Sequence, residues 1–380
     1  MRIAMDGSFL RLPPSGTAAY VRGLQTGFDE LRGDLDLRLL DPDWPAPRRF
    51  RGNWLTCTTE AIWHDGRFER MRWELFGVAR KARKTKAQLL HIPHFSAPIR
   101  AGLPLVITIH DVIPLVLPEY RASAAMRTRL ATVQHAVRQA RIVLTPSQAA
   151  AKDIQEVLGF KEQNIRITPE AADERYVPAP DRDAVKRQIN QLGITDPYIF
   201  NVGGLDVRKN VPLLIEAFAS AKSNLPARTK LVIAGTPHSK NRAVFPPLEP
   251  LIAKLGLQDS VVLPGRVTEE DKLLLYQGAN LYVTPSLYEG FGLTPLEAMA
   301  CGVPTIAANR TSLPEVVGGG GLLVEPEIES VAHAIIDVMT NEGLAMSLQA
   351  KALARAAQFS WRQTAALTLE AYRDVLTRPR

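Results

Sequence analysis

The chain has 380 residues, of which 46% are hydrophobic and 22% charged, and a formal net charge of +7. That length suits two domains of ordinary size, and the composition is globular, not disordered or fibrous. No apolar run approaches the ~20 residues of a membrane-spanning helix, and Cys57 and Cys301 are too few and too far apart for a disulfide framework or a metal knuckle.

Taken in order, the first part alternates strand and helix. Arg2 to Asp6 reads as a strand, with an early acid and no long apolar core, so it does not resemble an export signal; a reducing cytoplasm is the expected setting. A Pro/Ser/Gly-rich loop, 7–16, leads to a helix from Thr17 with Tyr20, Leu24, Phe28 and Leu31 on one face. A strand is expected over 35–40, and 42–65 fits no element. Basic residues then crowd 67–86 (Arg67, Arg70, Arg72, Arg80, Lys81, Arg83, Lys84, Lys86), interleaved with Phe68, Met71, Trp73, Leu75, Phe76 and Val78. This pattern fits either a helix on a membrane surface or a domain helix with a solvated basic face. Strands follow at 89–93, 105–110, 142–145 and 165–168, with helices over 124–139 and 148–158.

Residues 169–197 have the composition of a linker. A second alternating series begins at the strand 198–202. Further strands are expected at 231–234, 261–263, 281–284, 305–307 and 322–324, with helices at 212–221 and 248–255, helices filling the other gaps and continuing over 330–358, and a final helix from Trp361. Short apolar strands alternating with helices imply parallel sheets covered on both faces, and ligands then sit at the carboxyl ends of the strands. The expected division is 1–178 and 179–360.

The densest chemistry lies in Pro285 to Pro304. A strand ends, Gly290 and Gly292 let the backbone approach a ligand closely, and Thr294-Pro295-Leu296-Glu297 has the pattern of a helix start, with Thr294 at the N-cap. Backbone N–H groups of Phe291, Gly292 and Leu293 at that helix start suit a phosphate. Glu289 at the mouth of the same loop suits sugar hydroxyls instead. Two acids around an anion cradle point to a phosphorylated, hydroxyl-rich ligand such as a sugar nucleotide. Each acid also has a plain reading, Glu297 as a capping-box residue and Glu289 as a solvated loop acid.

A second constellation is Phe200-Asn-Val-Gly-Gly-Leu-Asp-Val-Arg-Lys-Asn210. Arg208 and Lys209 beside a helix capped by Asn210 suit a diphosphate, although the pair could be an ordinary solvated one. His110-Asp111 stands at a strand's carboxyl end, where a His points to a ligand or serves packing. His91 and His94 lack a third metal ligand of obvious spacing. Asp34/Asp36, Asp41/Asp43 and Asp181/Asp183 are Asp-x-Asp triplets that could hold a divalent ion on a diphosphate. The cationic pair Arg208/Lys209 already supplies that role, so no metal and no cofactor are expected. Pro13-Pro14-Ser15-Gly16-Thr17 is not a dinucleotide fingerprint.

The run Glu289-Gly-Phe-Gly-Leu-Thr-Pro-Leu-Glu297, continuing Ala-Met-Ala-Cys-Gly-Val-Pro, resembles the signature of the retaining family-4 glycosyltransferases. The resemblance covers nearly the whole chain and is strongest over 200–326. It implies the GT-B fold: two Rossmann-like, doubly wound parallel-sheet domains facing across a cleft, with the last helix, 361–380, completing the first domain. It implies retention at the anomeric carbon and a nucleotide-diphosphate sugar as donor. Glu289 would bind the donor sugar, Glu297 the ribose, and Arg208 and Lys209 the diphosphate. His110 would contact the sugar near the reacting carbon, and Gly16 would match the family's glycine loop. Some members carry a further Arg directly after the strand glycine, where this chain has Gly204.

The first-domain segments Val-Ile-Thr-Ile-His-Asp-Val-Ile-Pro114 and His91-Ile-Pro-His-Phe-Ser-Ala-Pro98 look most like bacterial polysaccharide mannosyltransferases. GDP-mannose is the expected donor, with a UDP- or dTDP-hexose as the alternative. A glycan or lipid-linked glycan is the expected acceptor, with 67–86 as a membrane dock. A basic nucleic-acid-binding module is the competing class, but aromatics are only 7% and no nucleic-acid motif appears, so no nucleic acid is expected. An epimerase or a phosphorylase on the same scaffold stays open, since fold does not dictate activity.

Overall fold

The computed structural model describes residues 1–12, 15–31, 34–42, 67–121, 124–194, 197–237, 239 and 241–377. Most of the stretch that fits no element in the sequence, and Pro13, Pro14 and Asp43, lie outside these residues. The chain divides into two compact units, Met1–Glu170 with Ser360–Arg380, and Ala171–Phe359.

The first unit is a six-stranded parallel sheet of β1 (Arg2–Asp6), β2 (Asp36–Leu40), β3 (Leu89–Ile92), β4 (Leu105–Thr108), β5 (Ile142–Thr145) and β6 (Ile165–Ile167). Their order across the sheet is β2-β1-β3-β4-β5-β6, and every pair runs parallel. β3, β4 and β5 are buried at every position. This explains why they read as continuous apolar runs and not as alternating ones. The last helix, Trp361–Thr377, returns to pack along the helix Gly16–Leu31. The contact is close because Gly23 and Gly27 present no side chain. A Cβ on Gly23 would lie 2.0 Å from the Trp361 ring, and one on Gly27 would lie 2.1 Å from the Trp361 carbonyl oxygen.

The basic stretch forms a helical segment, Arg67–Arg72 and Val78–Lys84, with a π-helical turn at Trp73–Gly77 between them. Trp73, Glu74, Val78, Ala79 and Ala82 face inward. Met71 and Phe76 stand exposed among exposed Arg72, Arg80, Arg83 and Lys84. The segment is thus a helix with one buried face, and its other face carries exposed bases beside Met71 and Phe76.

The second unit holds β7 (Tyr198–Val202), β8 (Lys230–Ala234), β9 (Val261–Gly265), β10 (Leu281–Thr284), β11 (Thr305–Ala308) and β12 (Leu322–Val324). The order is β12-β11-β10-β7-β8-β9, again parallel. The helices Val211–Ala221 and Ile328–Thr340 pack on one face.

Two expectations need correction. Residues 169–197 are not simply a linker: Arg182–Gln191 is a helix, with Asp181 accepting from the N–H groups of Asp183 and Ala184 and with Val185 and Ile189 buried. Asp181 of that Asp-x-Asp triplet is thus a helix cap. The helices expected over 330–358 are Ile328–Thr340 and Glu342–Ala356, divided where Asn341 leaves helical geometry and caps the second through the N–H of Leu344. The change of unit falls at Glu170/Ala171, ahead of the expected 178.

The sequence of the second unit, 171–359, contains no tryptophan, and the tryptophans among the described residues, Trp73 and Trp361, belong to the first unit. Indole fluorescence thus carries no signal from the second unit. Gly27→Val is expected to destabilise it by about 3 kcal/mol or more, through overpacking against the Trp361 backbone. A urea titration followed by tryptophan emission measures this; an unchanged midpoint would refute the close packing.

Candidate active site

In the second unit the strand order sets β11, β10 and β7 side by side, so the loops leaving their carboxyl ends meet. After β7, Gly203 takes a φ of +150°, and a Cβ there would lie 3.5 Å from Lys209 Cε. The chain then makes a tight turn, Val207–Lys209, and enters the helix Val211–Ala221 through Asn210 in a left-handed conformation. Asn210 occupies the expected cap position, but its side chain makes no capping bond. The backbone itself ties this loop to the next one: the N–H of Leu287 donates to the Arg208 carbonyl at 2.7 Å.

The side chains converge on Glu289. Arg208 Nη1 donates to Glu289 Oε2 at 2.9 Å and to the Tyr288 carbonyl at 3.1 Å, while Lys209 Nζ donates to Glu289 Oε1 at 2.5 Å. Arg208 Nε also lies 3.0 Å from the buried carboxylate of Asp206. The loop after β11 supports the arrangement from the other side. Glu289 N–H donates to Thr311 Oγ1 at 3.0 Å, and Ser312 Oγ donates to the Glu289 and Phe291 carbonyls. Burial alone would raise the Glu289 pKa, but Lys209 and Arg208 outweigh it and bring it down to about 2. Glu289 is therefore a buried, ionised carboxylate held by two cations, not a solvated loop acid.

The helix that follows is Leu293–Ala300, and it starts earlier than expected. Gly292, at φ +115°, is the N-cap, and Thr294 lies inside the helix. A side chain at Gly292 would be strained by this backbone and would press on Leu313 at 3.1 Å. With Thr294 inside the helix, the capping-box reading of Glu297 falls away. Its Oε1 accepts from Lys272 Nζ at 3.2 Å and its Oε2 from the Tyr276 hydroxyl at 2.9 Å. Lys272 is also paired with Glu269 at 3.1 Å. Burial lowers the Lys272 pKa, but Glu297 and Glu269 outweigh that effect and raise it, so the ammonium keeps its proton.

In the first unit, His110 follows β4. Its Nδ1 lies 2.7 Å from Glu170 Oε1 and its Nε2 3.0 Å from the Pro93 carbonyl oxygen. Asp111 turns the loop by accepting from the N–H of Ile113. His91 is spent on Tyr372 and Thr108, at 2.7 and 2.8 Å. Asp36, of another Asp-x-Asp triplet, pairs with Arg2 and Arg38. Gly16 begins its helix, and a Cβ there would meet nothing within 4 Å among the described residues.

Residues 183–355 match the family described as "Glycosyl transferases group 1", and residues 14–175 match "Glycosyltransferase Family 4". The chain belongs to the glycosyltransferases. The O-antigen chain mannosyltransferase B of Escherichia coli is 29% identical over 77% of this chain and 75% of its own length. The serotype-specific mannosyltransferase WbdA of Escherichia coli is 30% identical over 70% of this chain; the match spans only 33% of that longer protein. The solved sucrose-phosphate synthase of Thermosynechococcus elongatus shares the fold, with a TM-score of 0.73 at 23% identity over 98% of each chain. The two Rossmann-like units are those of a GT-B glycosyltransferase.

The second unit of this glycosyltransferase brings together Arg208, Lys209, Glu289, Gly290, Phe291, Gly292, Leu293 and Glu297, while His110 and Gly16 belong to the first. Sequence reasoning missed Asp206, Lys272, Tyr276, Thr311 and Ser312, and also Glu170. Lys272 carries the one local signal, an acid three residues earlier on a helix start. The others meet their partners only through the fold.

The depressed Glu289 pKa has a definite sign. Its ionised form stabilises the fold above the ordinary carboxylate range, and that contribution is lost as pH falls through about 2. Between about pH 5 and pH 2, Glu289→Gln should lose on the order of 3 kcal/mol less stability than the parent chain. Urea unfolding followed by circular dichroism measures the difference; parallel losses would mean that Glu289 is not held by the cations.

Proposed function

We propose that this glycosyltransferase moves a mannosyl group from GDP-mannose to a hydroxyl of a glycan or lipid-linked glycan, with retention at the anomeric carbon. The carrying observation is the Glu289 carboxylate clamped by Arg208 and Lys209 at the mouth of a glycine loop that opens a helix. The mannosyltransferase names of its relatives support the sugar. A UDP- or dTDP-hexose would occupy the same site.

In this reading the arriving diphosphate takes Arg208, Lys209 and the N–H groups of Phe291, Gly292 and Leu293 as partners. Glu289 turns to the hydroxyls of the donor sugar, and Glu297 receives the ribose hydroxyls. The acceptor oxygen bonds to the anomeric carbon as the bond from that carbon to the phosphate oxygen breaks. The acceptor's proton passes to the departing phosphate oxygen on the same face. Negative charge grows on the diphosphate during this step, and the fixed donors stabilise it there. Arg208 and Lys209 do the work a divalent ion would otherwise do, so the reaction is proposed to need no metal and no cofactor.

The acceptor side is proposed to work at the cytoplasmic face of a membrane. No helix among the described residues is long and apolar enough to cross one. Support for surface contact comes from Met71 and Phe76, 45% and 58% exposed, beside the exposed bases Arg72, Arg80, Arg83 and Lys84. Phe76→Asp with Arg80→Glu should abolish co-sedimentation with vesicles rich in anionic lipid and leave transfer to a soluble acceptor intact. Equal sedimentation would remove this surface from the reading.

Donor binding is tested by thermal shift with GDP, UDP, dTDP, ADP and their sugar nucleotides, with and without EDTA. The expected result is an upward shift selective for GDP and GDP-mannose, unaffected by EDTA, and lost in Arg208→Ala with Lys209→Ala. A shift retained by the double variant would place the diphosphate elsewhere, and a shift with UDP alone would replace the donor.

A further inference from the structure

Glu170 closes the first unit with a buried carboxylate. It sits 2.7 Å from one nitrogen of His110, and the Pro93 carbonyl sits 3.0 Å from the other. A carbonyl oxygen only accepts, and so does an ionised carboxylate. A neutral imidazole has a single N–H, so it would turn a bare lone pair toward one of these two acceptors. The ring that satisfies both is the imidazolium. In that state neither nitrogen is left over to exchange a proton with a substrate.

We propose that Glu170 is a positioning residue for the transfer reaction, holding His110 as a doubly bonded cation at the carboxyl end of β4. His110 then acts as a fixed positive charge and not as a general acid or base. The proposal rests on the donor reading given above, in which the substrate carries a diphosphate whose negative charge grows as the sugar departs.

The surroundings agree with this assignment. Tyr20, on the helix Gly16–Leu31, meets the ring edge-on with centroids 4.8 Å apart. His91 in β3 and His94 just beyond it are the neighbouring titratable rings, and Asp111 is the adjacent acid. Burial pushes the His110 pKa down, but the Glu170 carboxylate, its hydrogen bond, the Pro93 carbonyl and Asp111 raise it above the ordinary value. The imidazolium therefore persists at a pH where a free histidine has lost its proton. Its contribution disappears as pH rises through the raised value. Charge on His110 in turn helps keep its buried neighbours His91 and His94 neutral.

The test uses the full chain and two readouts. Heteronuclear NMR of the His110 ring nitrogens, titrated with pH, should show both protonated at neutral pH in the parent. In Glu170→Gln the ring should become neutral at lower pH. With sugar nucleotide and acceptor, Glu170→Gln should lower kcat by about tenfold or more with little change in the donor KM. The alkaline limb of its kcat profile should move to lower pH. Glu170→Asp keeps the charge and should restore part of kcat and the protonated ring.

A parent ring that is neutral at neutral pH overturns the proposal. So does a ring that stays doubly protonated in Glu170→Gln, or a kcat that falls with an unmoved pH profile. Failure of the donor reading looks different: the parent chain would bind no nucleotide diphosphate, while the ring titration would still report the charge on His110.

Discussion

A buried carboxylate between two cations holds the second unit's site in shape. Glu289 joins the loop after β10 to the loop after β7 through Arg208 and Lys209, and its own backbone joins both to the loop after β11 through Thr311 and Ser312. With Asp206 included, two acids face two bases, so the cluster is close to neutral. Removing charges from water is costly, and the close geometry offsets that cost only while every member keeps its partner. Removing one member would leave an uncompensated buried charge. The site therefore behaves as a unit, and no single side chain can be assigned a separate energy.

This neutrality alters how a diphosphate must be read into the site. Arg208 and Lys209 are not idle cations waiting for phosphate, because Glu289 already occupies them. In the proposed reaction the donor competes for these partners and offers Glu289 its hydroxyls in exchange. One ligand that brings both an anion and hydroxyls can make that exchange; inorganic phosphate brings only the anion. The same arrangement would thus favour a sugar nucleotide over its separate parts.

Much of the architecture was legible because buried parallel strands write themselves as short apolar runs between helices. All twelve strands among the described residues fall where that pattern put them, within a few residues at the ends. The glycine loop was legible for a different reason: Gly290 and Gly292 flank an aromatic between two acids, a combination no strand or helix requires. Errors arose where a local rule had two solutions. Thr294 fits an N-cap, but Gly292 can adopt a φ of +115° and begin the helix sooner. Charged residues between 182 and 191 look like a linker, yet Val185 and Ile189 bury one face of a helix. The partners of the site residues were least legible, since Lys272 meets Glu297, and Glu170 meets His110, only after the strands have assembled.

The two histidines, His91 in β3 and His110 just past β4, show how the fold sets chemistry that residue type leaves open. His91 is buried between hydroxyls, those of Tyr372 and Thr108, which can donate or accept and so tolerate a neutral ring. Burial pushes its pKa down to about 3, and it stays uncharged. Thr108 passes the chain of hydrogen bonds on to Tyr20, whose ring lies against His110. His110 is also buried, but its partners are a carboxylate and a carbonyl, which only accept. The same desolvation therefore ends in opposite charge states on rings a short distance apart. A hydroxyl network makes the first ring a structural pin; one carboxylate, at the residue where the chain leaves the unit, makes the second a cation at the edge of the sheet where ligands of such folds bind.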